Sequence, residues 1–328
     1  MSRVGIVGAG AMGGVFGAAL ARAGHDAILF DVNRVHLAAI AESGLTIDGP
    51  DGERRVHRLP VAVEPAALGA LDIAVVLVDS ANTRAAAEIA AGALQPDGFA
   101  LTLQNGIGNV ETLVDTLGTA RVLAGSTYVS AAYLGPGRIR HSNLGETVLG
   151  ETGGGAGARA TTLAEDLSRA GLPARAVAKV MGHVWMKFAL NCAINPICAA
   201  TGLRPGEVMR VPAARRALEA VLDEILAVAA AGGIELPCAD PRAEILEHAR
   251  ARYNRPSMLQ HVEAGRTPEI PALNGALVAA AAQLGVPAPA NRLLADLVLA
   301  LAERVRRRDA QPELDEAALE AESRRECA

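Results

Sequence analysis

Residues 4–14 read Val4-Gly5-Ile6-Val7-Gly8-Ala9-Gly10-Ala11-Met12-Gly13-Gly14. A short apolar run ends at Gly8, after which Val15, Ala18, Ala19, Leu20 and Ala23 recur at helical spacing until Gly24. A second apolar run, Ala27-Ile28-Leu29-Phe30, stops at Asp31. Strand, glycine turn, helix and strand make one βαβ unit. Gly8, Gly10 and Gly13 fit GxGxxG where strand gives way to helix. The first glycine permits the tight turn, the second lets backbone approach a pyrophosphate, and the third lets helix and strand pack closely. Amides at the helix start then face the phosphates. Gly8, Ala9, Gly10, Ala11, Met12 and Gly13 are therefore candidate dinucleotide-binding residues. Asp31 ends the second strand, where a carboxylate accepts hydrogen bonds from ribose hydroxyls and repels a 2′-phosphate. NAD is thus expected as the preferred cofactor. Arg34, three residues on, keeps NADP in play.

Working outward, short β-rich runs at 72–78, 99–103 and 121–124 alternate with Ala-rich helical segments at 81–94 and 109–117. That alternation predicts a doubly wound sheet of parallel strands. Between 126 and 150 the pattern changes to antiparallel strands, joined by turns at Gly135-Pro136-Gly137 and Asn143-Leu144-Gly145. One more helix is expected over 159–170. Beyond about 178 strand signals stop, and 180–200, 212–232, 241–253, 272–284 and 289–308 are helically periodic. The sequence predicts an α/β chain. Residues 1–178 form a Rossmann-like dinucleotide-binding domain, 179–308 an all-helical substrate domain, and 309–328 a charged, frayed tail.

The 328 residues are 51% hydrophobic and 20% charged, enough for two ordinary cores. A net charge of −5, with one Trp, three Tyr and four Phe, argues against a nucleic-acid binder. The apolar runs at 72–78, 217–231 and 293–302 are too short for a membrane span of roughly 20 residues, or are interrupted by acids. The first apolar run carries the glycine turn, which is not how a signal peptide reads. A soluble, cytoplasmic protein is expected. Cys192, Cys198, Cys238 and Cys327 form no CxxC, and no HExxH occurs, so no metal is expected.

Of 31 basic residues only Lys179 and Lys187 are lysines. Lys187 sits in Trp185-Met186-Lys187-Phe188-Ala189-Leu190-Asn191-Cys192-Ala193-Ile194-Asn195-Pro196, apolar except at 187, 191 and 195. Those positions are spaced i, i+4, i+8 and share one helix face. An ammonium and two carboxamides on such a helix need polar partners. Partial burial lowers a lysine pKa toward working pH, whereas arginine stays charged. Lys187 is therefore the candidate proton donor, with Asn191 and Asn195 as orienting amides. A lysine snorkelling to solvent is the alternative. Gln104-Asn105-Gly106-Ile107-Gly108 follows the 99–103 strand, at the carboxyl edge where open α/β sheets bind ligands. Ser257-Met258-Leu259-Gln260 and Glu269-Ile270 precede a helix starting near Asn274.

These motifs together resemble the ketopantoate reductase (2-dehydropantoate 2-reductase) family over roughly residues 3–305. The resemblance implies NAD(P)H-dependent reduction of ketopantoate, a 2-keto acid, at its keto carbon. It makes Lys187 the catalytic lysine and Glu269 an acidic residue of the catalytic, substrate and cofactor set. Asn105, Asn191, Asn195 and Ser257 match positions holding the substrate, and Asn105 also the nicotinamide end of the cofactor. A homodimer is a candidate assembly. Lys187, Asn191, Asn195, Ser257 and Glu269 would come from the helical domain and face the glycine turn across one cleft.

Two departures are visible. The family commonly has Val-Lys-Ser-x-x-Thr after the 72–78 strand, and here Val78-Asp79-Ser80-Ala81-Asn82-Thr83 stands in its place. Many relatives place an arginine just after the second strand, and here that position is Val32. Both suggest NAD and another 2-keto acid, as in a D-2-hydroxyacid dehydrogenase of the ketopantoate-reductase type acting on branched or aryl substrates. A non-catalytic dinucleotide sensor is the third reading. Such a sensor would need only the glycine turn, not Lys187, Asn191, Asn195 and Glu269.

Overall fold

A computed structural model describes residues 1–310 together with residues 320, 324 and 325. The expected tail at 309–328, with Cys327, falls almost wholly outside the described residues. The chain opens with β1 (Arg3–Val7), α1 (Ala11–Arg22) and β2 (Asp26–Phe30). It continues through α2 (Arg34–Ser43), β3 (Leu45–Asp48), β4 (Arg54–His57) and β5 (Val61–Ala62). Then come β6 (Leu71–Val76), α3 (Thr83–Ala93), β7 (Leu94–Thr102) and α4 (Asn109–Leu117). A long hairpin of β8 (Val122–Gly135) and β9 (Arg138–Glu151) precedes α5 (Ala158–Arg169) and β10 (Ala174–Ala176). The elements that follow among the described residues are helices: α6 (Val180–Thr201), α7 (Pro205–Val208), α8 (Pro212–Ala231), α9 (Pro241–Ala251), α10 (Ser257–Glu263), α11 (Asn274–Leu284) and α12 (Pro289–Ala310).

The strands form one sheet in the order β4-β3-β9-β8-β7-β6-β1-β2-β5, with β10 beside β9. From β5 to β8 all neighbours are parallel, and the chain winds from β1 outward to β2 and β5 on one side and to β6, β7 and β8 on the other. This is the doubly wound α/β arrangement. Val4, Ile6, Leu29, Ile73 and Val75 join one buried cluster with Phe16 and Leu20 of α1 and Leu163 and Leu167 of α5. Their strand neighbours Val7, Ile28, Phe30, Ala74 and Val76 join a second cluster with Ala86 and Ala90 of α3 and Leu113 of α4. Both faces are covered, so these strands read as unbroken apolar runs rather than alternating ones.

By compactness the chain divides into Met1–Phe188 with Ile234–Pro237, and Ala189–Gly233 with the residues from Cys238 on. The first unit therefore keeps the opening turns of α6, where Val180 and Val184 pack on Val110 and Ala124. Lys187 accordingly belongs with the sheet, not with the helical unit where the sequence reading put it. In the second unit α8 contributes buried Leu218, Leu222 and Ile225, α11 Leu277, and α12 Val298.

Other local differences have simple causes. The sequence reading passed over β3, β4 and β5, which are two to four residues long and in β4 polar and exposed. Asn143-Leu144-Gly145 is not a turn. It lies inside β9, where the register with β8 shifts, and a Cβ on Gly145 would overlap the Tyr128 backbone. The glycine serves close approach of two strands, not chain reversal. Ser257 opens a short helix, α10, that the sequence reading did not anticipate.

Candidate active site

Register fixes which loops share an edge. Val7 pairs with Phe30 of β2 and with Val76 of β6, Val76 pairs with Thr102 of β7, and Thr102 pairs with Ala124 of β8. These residues form one row across the sheet. From it leave the Gly8–Gly13 turn, Asp31, the Leu77–Asn82 connection and the Leu103–Gly108 loop. β8 alone runs on past the row, through Thr127 and Tyr128.

The glycine turn divides its three glycines by cause. Gly8 has φ +99°, and a Cβ there would press on the Leu77 carbonyl. A Cβ on Gly13 would overlap the Gly8 carbonyl oxygen. Both are required by the fold itself. Gly10 is different: a Cβ there would meet nothing within 4 Å. Protein packing does not demand that glycine, whereas close approach of a pyrophosphate does. No side chain caps α1 and no acid stands in its first turn, so its leading amides suit an anionic group. The residues present therefore fit a dinucleotide.

Two polar devices hold this edge, and the sequence reading found neither. Buried His36 of α2 accepts the Gly137 N–H at Nδ1 (2.9 Å), and its Nε2 lies 3.0 Å from the Ala9 carbonyl. Because an amide can only donate, Nδ1 is the acceptor, and Nε2 carries the proton given to Ala9. His36→Leu should strand a buried carbonyl and a buried amide, lowering stability by about 2 kcal/mol. NADH affinity should fall severalfold as the turn loosens. Thermal melts with and without NADH check both effects.

The second device holds the Asn105 loop. Gln104 Nε2 donates to the Val78 carbonyl (2.7 Å) and to Thr83 Oγ1 (2.9 Å), and Thr83 donates to Asn109 Oδ1 (2.8 Å). Asn109 Nδ2 then donates to the Asn105 carbonyl (2.8 Å), as Ser80 Oγ does at 3.3 Å. The Asn105 backbone is tied down while its side chain stays exposed. Asp79, one residue before Ser80, is exposed at the same edge.

Asp31 accepts the Asn33 N–H (2.8 Å), and Val32 is 87% exposed. Arg34 pairs with Glu64 at 2.5 Å.

Lys187 is part-buried, and its Nζ donates to the Thr127 carbonyl while standing 4.6 Å from the centre of the Tyr128 ring. Thr127 lies three residues beyond Ala124 on β8, so this ammonium sits on the same sheet edge as the glycine turn. Desolvation pushes its pKa down to about 8. A carbonyl oxygen and a ring face hold the cation, and among the described residues no carboxylate pairs with it.

In the second unit Asn191 and Asn195 follow on the same helix stripe, with Asn195 Nδ2 donating to Asn191 Oδ1 at 3.4 Å. Both keep some exposure amid buried neighbours. Pro196 has no N–H, so the Cys192 carbonyl loses its helical partner. Buried Asn274, at the start of α11, supplies one: its Nδ2 donates to that carbonyl at 3.0 Å and to Asn291 Oδ1 at 2.9 Å. Ser257 is exposed at the start of α10, and Glu269 stands just before the Ile270–Ala272 turn, partly exposed.

Comparison with known proteins matches residues 4–154 to the family "Ketopantoate reductase PanE/ApbA" and residues 179–302 to its C-terminal counterpart. The chain belongs to the ketopantoate reductase family. A 2-dehydropantoate 2-reductase of Halobacterium salinarum is 34% identical over 296 residues, 90% of this chain and 97% of that protein. A ketopantoate reductase of Ralstonia eutropha, of known structure, is 34% identical with a TM-score of 0.82, covering 92% of this chain and 99% of its own. D-mandelate dehydrogenase, solved with NADH and anilino(oxo)acetate, is 26% identical with a TM-score of 0.83 over the same shares. Within a ketopantoate reductase fold, Asn109, His36 and Asn274 act on the backbone of motif residues, and Thr83 ties the Gln104 side chain to that of Asn109. The only sequence signal for Thr83 and Asn109 was their place at the ends of the two loops already singled out. His36 and Asn274 had none, because their partners are far away in the chain.

Proposed function

We propose that this ketopantoate reductase relative reduces the keto group of a 2-keto acid, ketopantoate first among them, to the 2-hydroxy acid. The observation that carries the reading is Lys187: part-buried, with a lowered pKa, on the sheet edge that bears the glycine turn. A bound reduced nicotinamide supplies the hydride received by the keto carbon. Lys187 gives its proton to the oxygen that becomes the hydroxyl, and the neutral amine regains a proton from solvent. The Thr127 carbonyl and the Tyr128 ring hold the ammonium in place until transfer. Gly8, Ala9, Gly10, Ala11, Met12 and Gly13 take the pyrophosphate and Asp31 the ribose. Asn105, Asn191, Asn195, Ser257 and Glu269 take the roles their family positions imply, with Asn105 and Glu269 also near the cofactor. We place the enzyme in the cytoplasm.

The cofactor we assign is NAD. Asp31, exposed Val32 and the Arg34–Glu64 pair all disfavour a 2′-phosphate. A second reading keeps the chemistry and changes the substrate to a branched or aryl 2-keto acid. Asp79, exposed where many relatives carry a cation, supports it, as does the likeness to D-mandelate dehydrogenase. Steady-state kinetics on a panel of ketopantoate, branched and aryl 2-keto acids, each with NADH and NADPH, tests all of this. A higher kcat/KM with NADH is expected. An equal or higher value with NADPH would overturn the cofactor assignment, and no turnover of any 2-keto acid would overturn the function.

A further inference from the structure

β5 lies parallel to β2 with Leu29 opposite Val61 and Phe30 opposite Ala62. The two strands therefore end at the same sheet edge, one leading to Asp31 and the other to Glu64. Arg34, at the start of α2, reaches across to Glu64, with Nη2 and Oε1 2.5 Å apart and both side chains about two-thirds exposed (68% and 63%). The end of β2 thus carries two carboxylates and one guanidinium that is already engaged. A ribose with free hydroxyls adds no charge to this group. A 2′-phosphate adds between −1.5 and −2, roughly, at neutral pH. To clamp that phosphate Arg34 must leave Glu64, whose carboxylate then stands near the phosphate without a partner.

We propose that Glu64 is a specificity-determining residue: by holding Arg34 it sets the site against a dinucleotide with a 2′-phosphate. The inference rests on the reading of Gly8–Gly13 and Asp31 as the dinucleotide site. An exposed ion pair is weak by itself, so Glu64 acts by competition and by repulsion, not as a rigid lock. Its removal frees a bidentate phosphate ligand and deletes a like charge, which together should be worth about tenfold in relative affinity.

Calorimetric titration of the full chain with NADH and with NADPH, without substrate, tests this in wild type, Glu64→Ala, Arg34→Gln and the double variant. Glu64 caps no helix through its side chain, so the alanine variant should fold. In Glu64→Ala the ratio of the NADPH to the NADH Kd should fall about tenfold. The gain should vanish in the double variant and shrink between 50 and 200 mM salt. An unchanged ratio in Glu64→Ala overturns the proposal, and so does a gain that survives loss of Arg34. The cofactor reading is judged separately, by the wild-type ratio. A wild type that prefers NADPH, with a ratio falling further in Glu64→Ala, would defeat the NAD assignment and leave Glu64 as the determinant.

Discussion

Lys187→Ala should lower kcat for keto-acid reduction by about 10²–10⁴, the usual worth of a positioned general acid. NADH should still bind, since the glycine turn and Asp31 stand on other strands of the sheet. The pH profile carries the sharper test. The pKa of Lys187 is pushed down to about 8 by desolvation. A proton donor must be charged to act, so reduction should hold level below that value and fall as pH rises through about 8. The variant's residual rate should lose this limb. Stability runs the other way. Because the folded pKa lies below the ordinary lysine value of 10.5, the unfolded chain binds more protons between about 8 and 10.5. The native state is therefore penalised below pH 8, and the penalty is relieved as pH rises through that window. Lys187→Met should thus be inactive without being less stable at neutral pH, which separates catalysis from folding. A variant within a few-fold of wild type, or an unaltered alkaline limb, would make Lys187 a structural lysine.

The parts of this chain that were legible in advance share a physical reason. Gly13 is fixed by the Gly8 carbonyl within one βαβ unit and Gly8 by the positive φ of its own turn, with the Leu77 carbonyl pressing from further along the chain. The local part of that need is written in one short motif. The helix expected at 109–117 ends where Gly118 takes positive φ, a stop signal carried by one residue. The stripe Lys187, Asn191, Asn195 was legible because polar groups on an apolar helix break its pattern. What escaped notice depends on distant pairing. β5 is two residues long and exists only because β2 lies beside it. Gly145 looked like a turn because the sequence does not reveal that the Tyr128 backbone passes against it. The helical pattern groups Lys187 with the residues that follow it, but α6 is one unbroken helix whose first turns bury Val180 and Val184 against the sheet. Nothing in the local pattern marks the point at which its packing partners change. Asn274 is the clearest case of a long-range debt: a proline creates it, and an asparagine far along the chain settles it.

That debt gives the second large expectation. Asn274→Ala should lower unfolding stability by about 2–4 kcal/mol, read by urea titration, because it leaves the Cys192 carbonyl and Asn291 Oδ1 without their donor in a buried setting. The Asn274 Oδ1 atom has no protein partner among the described residues, so its removal breaks no further hydrogen bond and relieves part of the cost, which keeps the loss within that range. The consequence for the site follows from position. Asn195 directly precedes Pro196, where helical backbone is disfavoured, and Asn191 lies one turn before it. Both are held in helical register through a turn missing one rung of its ladder. With Asn274 gone, that turn should loosen and kcat/KM should fall about tenfold, mostly through KM. Loss of packing alone could give the stability change, so a second substitution is needed. Pro196→Ala restores an N–H that can bond the Cys192 carbonyl within the helix. Its stabilising effect should therefore be larger by about 1 kcal/mol or more in Asn274→Ala than in wild type, because residues sharing one acceptor are coupled. Strict additivity of the two substitutions would mean that Asn274 does not stand in for the missing rung. Coupling with the predicted sign would make the Asn195-Pro196 motif and Asn274 one functional unit, joined through a single carbonyl oxygen.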